Sequence, residues 1–293
     1  METISIPTRA QPTRRPLLSF VAATLAFTWS LHLPVALAEH GRLTLPLPPL
    51  ALLVLGGYGP TLMAILFTAR ADGWAGVRAL LGRALRWRVQ PIWYGVVFAG
   101  PLLLHLAAMG LHAALGGQPP QLAGLIGRLP RILLIGVAML PLGPLGEEFG
   151  WRGYLLPALQ SRVGALSTSA IVGVIWACWH LQLFWMPSQV LSQIPFPLFL
   201  VSLVGLSILY TWLSNNTRGN LLLAILLHAV LNVTTNLWQA VPDAPSPAGV
   251  LTLLNVVGTG LALALVLGYG PRTLSRQPGG IAPGAAIEES LAP

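Results

Sequence analysis

The sequence predicts an all-α integral membrane protein, a bundle of about eight transmembrane helices with one amphipathic helix in the membrane interface. Three observations predict it. Of 293 residues, 55% are hydrophobic and only 8% are charged, against about 25% charged in an ordinary soluble domain. Mean hydropathy is +0.73. Uncharged apolar runs of about 20 residues, the length that crosses a bilayer, recur along the whole chain. This composition excludes a soluble globular enzyme, a disordered protein and a nucleic-acid binder of the usual polar kind.

Apolar runs place helices at about Leu17–Ala38, Leu47–Ala69, Ile92–Leu115, Ile132–Pro157, Ser167–Trp185, Phe196–Leu213, Asn220–Ala240 and Val250–Gly268. The first run follows Arg14-Arg15 and ends in Ala36-Leu37-Ala38, which resembles a signal-peptide cleavage site. It is longer than the usual apolar core of about 7–15 residues, so an uncleaved span is preferred. Between the second and third runs, Val77, Leu80, Leu81, Ala84 and Leu85 recur at helical spacing, with Arg78, Arg83 and Arg86 off the stripe. That pattern predicts an interfacial amphipathic helix within Gly73–Val89. The fourth run is interrupted by Pro141, Gly143, Pro144 and Gly146, and then carries Glu147, Glu148 and Arg152. Pro and Gly there predict a broken span.

All 16 basic residues are Arg, and the formal charge is +8. With the N-terminus inside, 13 Arg fall on inner segments and 3 on outer ones, as the positive-inside rule requires. Both termini are therefore expected in the cytoplasm. The Arg-only, Gly- and Pro-rich composition suggests a GC-rich bacterial genome, and so the bacterial plasma membrane. The domain reading is a cytoplasmic segment 1–16, a single transmembrane domain 17–270 and a disordered tail 271–293. The lone Cys178 excludes an internal disulfide or a thiolate metal cluster.

A charged group within a bilayer costs roughly 2.5–3.5 kcal/mol or more, so the polar residues of the spans are the informative ones. If a new helical half begins near Gly146, Glu147 and Glu148 lie in its first turn, at the positive end of the dipole. Glu148 and Arg152, four apart, share a face and can pair. Glu147, rotated by about 100°, is left to point elsewhere. His180 falls in the fifth span; His228 and Asn232, again four apart, project from one face of the seventh, and Asn236 continues that stripe. His32, His40, His105 and His112 lack such company and read as packing, interface or loop residues. Buried Glu and His beside a broken helix also suit a small ion-coupled transporter, although no inverted repeat is visible.

Three motifs in order, Glu147-Glu148-Phe-Gly-Trp-Arg152, Trp176-Ala-Cys-Trp-His180 and His228-Ala-Val-Leu-Asn232, resemble the CPBP family of intramembrane proteases. That family includes type II CAAX prenyl endopeptidases and bacterial Abi-type proteins. Trp176 stands where Phe is more usual. The resemblance covers about residues 73–240 and implies hydrolysis of a peptide bond in a membrane-associated protein or peptide. Glu147 and His180 would activate a water, His228 and Asn232 would form an oxyanion hole, and Glu148 and Arg152 would support them. The partners implied are the bilayer and a membrane-embedded or membrane-anchored peptide substrate, with no nucleic acid. No cofactor is favoured. Zinc, held by Glu147, His180 and His228, is the alternative. A non-catalytic immunity or scaffold protein of the same fold would have lost one of these positions, and none is lost.

Overall fold

The computed structural model describes residues 16–118, 127, 130, 133–134, 136–138, 140–141, 143–239 and 245–276, the side chains of 238 and 239 excepted. Among them every regular element is helical. Helix α1 is Leu17–Glu39, α2 is Pro49–Gly57 and α3 is Gly59–Gly82, followed by a 3-10 turn Arg83–Leu85. Helix α4 is Pro91–Ala114. Helix α5 (144–160) joins an α turn Pro144–Glu148, a π segment Phe149–Leu155 and an α turn Leu156–Gln160. Helix α6 is Ala165–Trp179, α7 Phe196–Asn216, α8 Leu221–Gln239 and α9 Pro247–Tyr269. Helices α2, α4, α5 and α9 each begin on a proline. Its ring presets the helical φ and removes one of the N–H groups that a helix start leaves unbonded, which matters where no water can serve them.

Each predicted span has a helical counterpart, the part of Ile132–Pro157 before Gly143 lying mostly outside the described residues. The chain is a multi-pass membrane protein. Leu17–Glu39, Pro91–Ala114, Ala165–Trp185, Phe196–Asn216 and Pro247–Tyr269 are long and apolar enough to cross a membrane; the pair Pro49–Gly57 and Gly59–Leu85, bent by 42°, would add a sixth crossing, and Leu221–Leu237 is a shorter apolar helix.

Helix α5 lies in the middle, and small residues let it approach closely. A Cβ on Gly146 would come 2.6 Å from the Gly57 carbonyl oxygen, and one on Gly150 would come 2.6 Å from the Pro60 carbonyl. These two glycines, four apart, press one face of α5 against the α2–α3 junction, as small-xxx-small pairs do in membrane bundles. On another side Phe20, Phe67, Trp151 and Tyr154 pack as one aromatic group, with Phe20 and Tyr154 ring centroids 4.5 Å apart.

Two segments differ from their sequence reading. The amphipathic stretch is the second half of α3, bent at Gly73 (φ 63°). Only Val77 and Leu80 of its stripe are buried, while Leu81 and Leu85 are exposed. Arg83, placed off the stripe by periodicity, turns inward. It donates to the carbonyls of Gly153 (2.9 Å) and Gly219 (2.8 Å), tying the α3–α4 turn to α5 and to the α7–α8 turn. The Gly219 carbonyl lies between two helices, where such groups need donors, the Gly153 carbonyl lies in the π segment, and one long guanidinium serves both. Residues 271–276, assigned to the tail by composition, run back along the bundle. Ala165 and Leu166 at the start of α6 donate to the carbonyls of Arg272 and Pro271, and Asn216 holds the carbonyl of Leu274, whose side chain is fully buried. Residues 277–293 and the N-terminal segment before 16 lie outside the described residues.

Candidate active site

Gly143 (φ −145°, ψ −73°) breaks the chain before α5, and Pro144 opens the helix. Glu147 and Glu148 therefore fall in its first turn, where the helix dipole favours a negative charge. Both are buried. The helix opens into the π segment immediately afterwards, a rare form frequently found at functional sites.

Glu148 is fully buried and its Oε1 accepts two hydrogen bonds, from Arg152 Nη1 (3.0 Å) and from His228 Nδ1 (2.7 Å). The four-residue spacing predicted the first; the second joins α5 to α8 across 80 residues. The Arg152 guanidinium also lies over two aromatic rings, 3.7 Å from the Tyr210 centroid and 4.1 Å from that of Trp176. A cation buried against ring faces and a carboxylate is held at both its charge and its plane.

Glu147 is held by Trp176, whose indole N–H donates to Oε2 at 2.6 Å. Its other oxygen, Oε1, faces Gly143. A Cβ placed on Gly143 would sit 3.8 Å from Glu147 Oε1, 4.0 Å from His228 Nε2 and 3.7 Å from Asn232 Nδ2. Three of the four residues singled out from the sequence thus surround one point, each presenting a polar atom to it.

His180 reaches the group differently. It ends α6, where its backbone N–H turns to Ala177 and its ring Nδ1 bonds the Trp176 carbonyl (2.9 Å). A carbonyl only accepts, so Nδ1 carries the proton and a neutral His180 presents a bare Nε2. The ring packs edge-on against Trp179 (4.6 Å) and Phe199 (5.3 Å), tilted to Trp176 at 6.2 Å. As the sequence predicts, His180 lies within the fifth span, Ala165–Trp185, whose α-helical part ends at Trp179 and which continues as a 3-10 turn, Leu181–Trp185.

Asn236, on the same stripe as Asn232, is exposed and donates to the Asn232 carbonyl, away from this centre. His32 bonds the Leu53 carbonyl and Gln182, His105 bonds the Pro101 carbonyl and Thr235, and His40 bonds the Trp185 carbonyl. All three tie helices or their connections together. Sequence reasoning missed Trp176 and Tyr210. The Trp in place of the usual Phe was the available signal, since it brings a donor that a Phe lacks.

A zinc ion would need Glu147, His180 and His228 to converge. Both imidazoles bond through Nδ1, which in the neutral rings leaves Nε2 for a metal, the arrangement common around zinc. Among the described residues, however, no group of three or more His, Cys, Asp or Glu is placed to hold one. The three side chains are neighbours without sharing a coordination point.

Residues 129–234 match the family model described as type II CAAX prenyl endopeptidase Rce1-like. This segment of the chain is similar to that family. The Rce1-like segment contains every residue of the site, from Glu147 on α5 to Asn232 on α8. The protein called CAAX prenyl protease 2 of Methanococcus maripaludis is 32% identical over 103 residues, which cover 33% of this chain. They cover 38% of the relative's length.

Proposed function

We propose that the protein is an intramembrane endopeptidase that cleaves a membrane-associated protein or peptide, with Glu147, His180, His228 and Asn232 as its catalytic residues. What carries the reading is the convergence of Glu147 Oε1, His228 Nε2 and Asn232 Nδ2 on one point beside Gly143. A water there would give its proton to Glu147 Oε1 while its oxygen attacks the scissile carbonyl. The bare Nε2 of His180 would accept the water's second hydrogen and aim it. Charge developing on the carbonyl oxygen would be met by Asn232 Nδ2–H and His228 Nε2–H, the kind of donor whose loss lowers turnover by about 100–1000-fold. Glu147 would then return the proton to the leaving amine, and the C–N bond breaks.

This chemistry makes a demand on His228. Its Nδ1 proton is already committed to Glu148, so donation from Nε2 requires the imidazolium. Glu148 would hold that ring in place, and Arg152 would hold Glu148. The resemblance favours a C-terminal, CAAX-type substrate, with a bacteriocin- or pheromone-type peptide as the other member of the class. The Arg distribution supports access from the cytoplasm, with both termini on that side.

The test uses the full chain purified in detergent and a library of prenylated and unprenylated membrane peptides. Glu147→Gln keeps size and an acceptor but removes the base. Cleavage should vanish while the melting temperature stays at the wild-type value. A Glu147→Gln variant that still cleaves at the wild-type rate would end the assignment.

A further inference from the structure

A second concave site lies at one end of the bundle, away from the glutamates. It is a cavity of about 350 Å³ between the α3–α4 and α7–α8 turns, lined among others by Arg86, Trp87, Arg88, Thr217, Arg218 and Asn220. Its three charged lining residues are all arginines. Among the described residues none of the three has a carboxylate partner. All are exposed, and Arg218 is the single exposed residue between positions 211 and 220. Its backbone is left-handed (φ 53°), a conformation that costs a non-glycine residue free energy and persists where the surroundings impose it. Asn220 lies where α8 begins. Its Oδ1 caps Leu223 N–H (3.0 Å) and its amide holds the Arg86 carbonyl (2.7 Å), joining the two turns. The start of a 19-residue helix adds a positive dipole end to the guanidinium groups.

The location restricts what could fill it. The apolar helices Gly59–Leu85, Pro91–Ala114, Phe196–Asn216 and Leu221–Leu237 all have an end here, so the cavity lies at one boundary of the membrane. Trp87 is 63% exposed and carries Arg88 over its ring at 5.0 Å, the amphipathic kind of side chain that settles at headgroup depth.

We propose that this cavity is a binding seat for a phosphate anion, in the first place the headgroup of an acidic phospholipid. The phosphate oxygens would take the Arg86, Arg88 and Arg218 guanidinium groups, with Trp87 at the glycerol level. The seat stands apart from the proposed hydrolytic chemistry and would exist even if that reading failed.

The test uses the delipidated full chain in detergent, with bound lipid counted by native mass spectrometry. Phosphatidylglycerol and phosphatidylcholine are added in separate arms, and inorganic phosphate is the soluble arm, read by thermal shift. Phosphatidylglycerol should be retained in clear preference to phosphatidylcholine. Each arginine near an anionic surface is worth about fivefold in binding, so the triple variant R86Q/R88Q/R218Q should lose roughly 100-fold. The variant R70Q/R78Q/R272Q removes as much charge from exposed positions outside the cavity and should keep most of the binding. Equal stabilisation by inorganic phosphate, lost in the first variant, would support the seat and name a soluble source. Retention by the first triple variant, or an equal loss in the second, would overturn it.

Discussion

Trp176→Phe isolates one hydrogen bond at the proposed base. The substitution removes the indole N–H that donates to Glu147 Oε2 at 2.6 Å. It keeps an aromatic face beneath Arg152, which lies 4.1 Å from the Trp176 centroid, and beside His228 at 5.8 Å. A hydrogen bond to a charged group contributes about 1.5–3 kcal/mol, and this one is short and charge-assisted. If the bond serves only to aim Glu147, that loss falls on the transition state, and at 1.36 kcal/mol per decade kcat should drop about 10–150-fold. KM should hardly move, because the indole N–H is turned to the carboxylate and not to a substrate. The assay is kcat and KM against one cleaved membrane peptide, with the detergent melting temperature measured in parallel. Trp176→Ala is the contrasting variant. It also removes the platform under Arg152, and deletion of a buried Trp costs about 3–5 kcal/mol, so it should melt early. A Phe variant with wild-type kcat and melting temperature would show that the indole N–H does not position Glu147.

Glu148→Gln should lower both kcat and melting temperature, because Oε1 anchors His228 as well as Arg152; breaking a buried ion pair typically costs about 3–5 kcal/mol, and loss of stability alone would confine Glu148 to folding. Gly150→Ala should destabilise by about 1–3 kcal/mol, since its Cβ would meet the Pro60 carbonyl at 2.6 Å, whereas Gly100→Ala, with nothing within 4 Å, should melt close to wild type. A chelator should leave turnover unchanged if His228 acts as a donor; inhibition reversed by zinc would instead make Nε2 of His180 and His228 ligands and would replace the oxyanion role of His228.

Local features were legible in the sequence and contacts between distant segments were not. Helix positions followed from apolar runs, and the Glu148–Arg152 pair from a four-residue spacing that any helical backbone turns into proximity. The His228–Asn232 face followed in the same way. The bonds from Trp176 to Glu147 and from His228 to Glu148 span 29 and 80 residues, and no periodicity encodes them. Arg83 misled for a related reason. Amphipathic spacing assigns a charged residue to the solvated side, but Arg83 answers carbonyls at Gly153 and Gly219 that only the folded bundle brings near. The change from α to 3-10 geometry at His180 was not legible, because an apolar run does not show where a helix changes form inside it.

The π segment Phe149–Leu155 lets α5 hold one residue more than an α-helix of the same rise would need. Removing one residue from this stretch would relax it to ordinary α geometry and leave the elements on either side in nearly their present register, because the wide turn is what absorbed the extra residue. The glutamates before it would keep facing Trp176 and His228. The change would fall on the segment itself, re-aiming Gly150 against the α2–α3 junction and Arg152 against Glu148. The same deletion in the α turn Leu156–Gln160 has no wide turn to release, and would rotate everything before it by about 100° relative to everything after it.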